Sequence, residues 1–60
     1  MKHTIRTSNE NVVIRGSIHG IAAMDYTEDS ILWYFKEKKY ADHAMKVFSN
    51  TFEYVQRVAE

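Results

Sequence analysis

The sequence predicts an α+β fold: a small antiparallel β-meander followed by one long amphipathic C-terminal helix. Three features point there. The first twenty residues alternate and carry β-branched side chains, Ile31 to Phe35 is a run of five large apolar residues, and apolar positions beyond Tyr40 recur at spacings of three and four. Strands are expected at about residues 2–7, 11–24 and 30–37 and the helix at about 41–59, all within a single domain of residues 1–60.

The N-terminal elements follow from alternation. His3, Ile5 and Thr7 share one face, and Val12, Ile14, Gly16 and Ile18 share another. Between them Ser8-Asn9-Glu10-Asn11 is a polar turn signal, so residues 2–7 and 12–19 read as an antiparallel hairpin. Gly16 and Gly20 mark a bulge, a bend or a close backbone approach.

The middle of the chain supports two readings. Thr27-Glu28-Asp29-Ser30 could cap a helix ending near Lys36, Lys38 and Lys39, which makes a hairpin followed by two helices the alternative fold. The strand is favoured, because Ile31-Leu32-Trp33-Tyr34-Phe35 is β-branched and aromatic and suits a strand covered on both faces. On that strand Trp33 and Phe35 point toward the helix and Tyr34 points away.

In the C-terminal segment, Met45, Phe48, Phe52, Val55 and Ala59 form the expected core stripe, which meets Trp33 and Phe35. Ala44, Val47, Thr51, Tyr54 and Val58 widen that stripe beyond what one small sheet needs. Together with Tyr34 they are the expected interface residues.

Size makes self-association a natural expectation. A chain of 60 residues has little interior, yet 45% of this one is hydrophobic and 13% aromatic. It has no cysteine, so disulfides and the commonest zinc sites are excluded as staples, and oligomerisation remains.

No constellation with catalytic or ligand spacing is present. His3, His19 and His43 fall on three different elements, which argues against a metal site, and no cofactor is expected. Ser17, His19 and Asp25 lack a nucleophile elbow or an oxyanion loop around them, so the chain reads as non-enzymatic.

Eight basic residues balance eight acidic ones, so no net field draws the chain toward nucleic acid or an anionic membrane. Lys2, Arg6 and Arg15 on the hairpin, with Lys36 on the third strand, could still form a basic sheet face opposite phosphates. With Trp33-Tyr34-Phe35 leading into Tyr40-Ala41-Asp42, the order of three strands and then a helix resembles the plant ethylene-response-type and integrase arm-binding DNA domains. That resemblance implies major-groove reading by the sheet.

The leading expectation is a small non-enzymatic protein–protein interaction module, a homodimeric inhibitor or regulator of a larger macromolecule, of the kind encoded by phages and other mobile elements. Its partners are then itself and a protein target. The alternatives are a nucleic-acid-binding regulator that uses its sheet and a small-ligand-binding protein with a site between two subunits. The N-terminus lacks the apolar run of a secretory signal, and Ile31 to Phe35 is too short to span a bilayer, so no membrane association and a cytoplasmic location are expected.

Overall fold

The computed structural model describes residues 3–14 and 16–58. Its elements are strand β1 (His3–Ser8), strand β2 (Ile21–Tyr26), strand β3 (Ser30–Phe35), helix α1 (Lys38–Ser49) and strand β4 (Val55–Val58). The class is α+β. One antiparallel sheet runs in the order β2-β3-β1-β4, with α1 packed on β1, β4 and β3.

β2 and β3 form the hairpin expected for the middle of the chain. Thr27 turns it, its backbone N–H donating to the Ser30 carbonyl at 2.8 Å and its Oγ1 accepting from the Ser30 N–H at 2.9 Å. β1 then pairs with β3 instead of with the segment that follows it, setting Ile5 opposite Trp33 and Thr7 opposite Ile31. The expected hairpin of residues 2–7 and 12–19 does not form. Ser8-Asn9-Glu10-Asn11 is tied to distant parts of the chain: the Asn9 backbone N–H donates to the Asp29 carbonyl, and its side chain donates to the Thr27 carbonyl.

Because β3 lies between them and runs antiparallel to both, β1 and β2 are parallel to each other. Parallel strands need a crossover of a dozen or so residues, and residues 9–20 supply it. The expected strand at 11–24 therefore begins only at Ile21. The crossover runs beside α1 in the opposite direction. Gly16 meets Val47, the Ser17 carbonyl lies 3.0 Å from His43 Nε2, and Gly20 meets the Tyr40 ring. Gly20 has φ +74°, and a Cβ there would overlap that ring, so both backbone conformation and space require glycine. Val12, Ile14 and Ile18 turn inward onto the core.

α1 begins at Lys38 and ends at Ser49, which corrects the helix expected at 41–59. Short polar side chains close its last turn: Ser49 Oγ donates to the Lys46 carbonyl and Thr51 Oγ1 to the Val47 carbonyl. Side-chain bonds of this kind compete with helix propagation. The Phe52 N–H still donates to the Phe48 carbonyl at 2.9 Å, so the helical spacing of these two rings is real although the regular helix has ended. Val55 and Val58 are a different matter. They belong to β4, which pairs with β1 and covers an edge that would otherwise be open, with Thr4 opposite Val58 and Thr7 opposite Val55. A fourth strand after the helix also sets this topology apart from an order of three strands and one helix.

The core lies between the sheet and α1. Ile5, Ile31, Trp33, Phe35, Ala41, Ala44, Phe48 and Phe52 are its buried apolar residues. Trp33 stacks on Phe48 with ring centroids 4.5 Å apart, and Phe52 meets both edge-on, at 6.1 Å and 5.3 Å. Ala41 and Ala44 let the helix approach the sheet closely, so Ala44, expected at an interface, is fully buried instead. Met45, expected in the core stripe, is half-buried beside it. Ala59 lies outside the described residues.

Candidate interaction surface

Side chains alternate across a strand, so the two faces of this sheet are assigned by its register. Odd-numbered residues of β1 and β3 face α1. Even-numbered ones point away from it, onto a face that no helix covers. Two rows of paired residues cross that face: Asp25, Leu32, Arg6 and Gln56 in one, and Ala23, Tyr34, Thr4 and Val58 in the other, the latter next to a register shift in β2 between Ile21 and Ala23.

The second row is mostly apolar. Thr4, between Tyr34 and Val58, is only 4% exposed, and both neighbours are half-buried. Tyr34 Oη donates to Asp25 Oδ2 at 2.9 Å, which ties the two rows together. Leu32 is half-buried at the centre of the first row. Arg6 is exposed and makes no ion pair within the described residues. Asp25 lies two strands away, about 10 Å at ~4.8 Å per strand, beyond salt-bridge reach within one subunit.

The expected interface residues separate onto distinct sites. Tyr34 and Val58 share the uncovered face. Val47 and Thr51 line an open groove with Val12, Val13, Lys46 and Asn50, where Val13 is 82% exposed. Tyr54 sits at the sheet rim, its Oη 2.7 Å from Ser30 Oγ.

Of the expected basic face, Arg6 stands at the centre of the sheet. Lys36 lies past the end of β3, four positions beyond Leu32, the partner of Arg6, so the two do not converge. Lys2 and Arg15 lie outside the described residues.

Two exposed carboxylates hold the frame around this surface. Asp42 accepts from Lys38 Nζ at 2.8 Å and from Arg57 Nη1 at 2.9 Å, bridging α1 to β4, and these bonds hold its carboxyl below the ordinary range. Arg57 Nη2 lies 3.4 Å from His3 Nδ1, extending the link to β1. Glu10 accepts from Ser8 Oγ and from the Glu53 N–H, which anchors the crossover to the segment before β4 and lowers its carboxyl likewise. Buried polar groups are also satisfied: Trp33 Nε1 donates to Thr7 Oγ1 at 3.0 Å, and Thr7 Oγ1 donates to the Ser8 carbonyl.

Among the described residues, no three His, Asp or Glu side chains converge as a metal site. Asp25 is engaged by Tyr34, and Ser17 meets His43 through its carbonyl and not through its hydroxyl. Among the described residues no helix is long and apolar enough to cross a membrane.

Tyr34 points away from the helix as strand alternation predicts, Val58 reaches the same face through β4 and not through the helix expected at 41–59, and Leu32, Thr4, Ala23 and Asp25, which the sequence did not single out, complete the face. Strand parity is the signal that would have joined Leu32 to Tyr34. The match of Asp25 to Arg6 through Leu32 needed the register. Comparison of the chain with protein-family models, with curated proteins and with solved structures finds no match.

Proposed function

We propose that this chain is a small non-enzymatic protein–protein interaction module, a cytoplasmic homodimer that inhibits or regulates a larger macromolecule. The uncovered sheet face carries the proposal. It presents Tyr34 and Arg6, residue types enriched at interfaces, beside the apolar side chains of Leu32, Val58 and Ala23. Among the described residues no second layer of secondary structure covers this face, and a chain this short gains stability by burying such a face against another polypeptide.

Native mass spectrometry and sedimentation across a range of concentrations test the dimer. A dimer populated increasingly with concentration is expected, and a strict monomer at the highest attainable concentration overturns it. Arg6 also gives a nucleic-acid reading its one foothold, but Asp25 in the same row and the balanced charge of the chain oppose it. Binding to DNA or RNA that falls steeply with salt and is lost in Arg6→Ala would replace the protein-partner reading with that one.

A further inference from the structure

We infer that the occupant of the uncovered sheet face is the same face of a second copy, packed sheet on sheet about a two-fold axis that runs along β3. The inference rests on the homodimer reading above and specifies its surface and its contacts.

The arrangement of charge on the face carries it. Arg6 and Asp25 are the charged groups in the two rows, they have opposite sign, and both pair with Leu32, one from each side. They therefore stand at the same level along the strands and at equal distances on either side of β3. A two-fold axis parallel to β3 and midway between two stacked sheets exchanges left and right while preserving that level. It sets Arg6 opposite Asp25 of the partner subunit and Asp25 opposite Arg6 of the partner subunit. An isologous interface requires this kind of self-complementarity, in which each contact occurs twice.

The remaining side chains fit the same operation. Leu32 meets Leu32 of the partner subunit and Tyr34 meets Tyr34 of the partner subunit, forming an apolar spine on the axis. Ala23 and Thr4, both small, face each other across it. Stacked sheets lie ~10 Å apart, a gap that an arginine and an aspartate side chain together span. Tyr34 engages Asp25 through Oδ2, which leaves Oδ1 for the incoming guanidinium. The molecule measures 25 × 24 × 16 Å, so even its broadest outline limits a flat contact to about 600 Å² per subunit, near the lower bound of specific interfaces. Association is accordingly concentration-dependent rather than obligate.

The test uses the full chain in sedimentation velocity, with Arg6→Asp, Asp25→Arg and an equimolar mixture of the two. Each reversal alone places like charges opposite one another twice per dimer and weakens self-association by about tenfold or more. The mixture restores both complementary pairs, so a heterodimer forms more tightly than either variant's homodimer. Leu32→Lys, which sets two ammonium groups on the axis, gives an independent reading, with circular dichroism checking that each variant is folded. It is expected to be monomeric. A wild-type dimer indifferent to the reversals and to Leu32→Lys overturns the sheet-on-sheet geometry and leaves the homodimer standing. A wild type that is monomeric throughout overturns both.

Discussion

Replacing Phe52 by alanine is expected to remove most of the stability of this protein. Phe52 is 7% exposed and lies just past the end of α1, with its ring edge-on to both Trp33 and Phe48. Truncating a buried phenylalanine costs about 3–5 kcal/mol through lost transfer energy and the cavity left behind. Little relaxation is available here, because the ring is held between a strand and a helix by its own backbone bond to the Phe48 carbonyl. A domain of this length has roughly 3–9 kcal/mol in total, so Phe52→Ala should be largely unfolded at moderate temperature and Phe52→Leu should retain a cooperative transition. Trp33 is the single tryptophan of the chain and touches the substituted ring, so urea unfolding followed by its fluorescence reports on this cluster directly. A Phe52→Ala variant whose midpoint matches the wild type would refute the placement of Phe52 in the core.

Thr7→Val leaves the buried Trp33 Nε1 without its acceptor and should cost about 1–3 kcal/mol in the same unfolding assay, whereas Thr7→Ser, which keeps the hydroxyl, should cost less. Gly20→Ala forces a side chain into φ +74° and against Tyr40; it should destabilise by at least ~1 kcal/mol, and by less in a Tyr40→Ala background. Glu10 and Asp42 both have folded-state carboxyls below their ordinary values, so the folded protein binds fewer protons than the unfolded chain. The stability these groups contribute is present above their unfolded pKa and is lost as pH falls through the folded one. Thermal midpoints should therefore fall between neutral pH and about pH 3, and less so in Glu10→Gln and Asp42→Asn. Val55 faces α1 and Val58 faces away, on opposite sides of β4; Val55→Asp should therefore lower the thermal midpoint more than Val58→Asp, an order that a continuous helix through residues 41–59 would not require.

What the sequence conveyed was local. The β-branched and aromatic run from Ile31 to Phe35 favoured a strand over a helix capped at Thr27 to Ser30, and its alternation sends Trp33 and Phe35 one way and Tyr34 the other. Misreadings arose where a local pattern had two physical causes. Phe48 and Phe52 keep a true helical spacing through the last turn, and Val55 and Val58 continued that spacing by coincidence while serving the two faces of β4. The polar cluster Ser8-Asn9-Glu10-Asn11 has the chemistry of a tight turn, yet β1 pairs with the aromatic strand β3, across a long separation in the chain. The candidate surface was the least legible feature. Arg6, Leu32 and Asp25 form a row only once two pairings fix the register, and nothing in their spacing along the chain reports it.

Dilution followed by backbone and side-chain NMR tests most directly whether this chain associates through its uncovered sheet face. On dilution, the resonances of Ala23, Leu32, Tyr34, Thr4 and Arg6 should each move toward their own monomer positions with one shared dissociation constant, while those of Ala41, Ala44 and Phe48 beneath the sheet stay fixed. Shifts confined to Val13, Val47 and Thr51 in the groove beside α1, or no shifts at all, would contradict it.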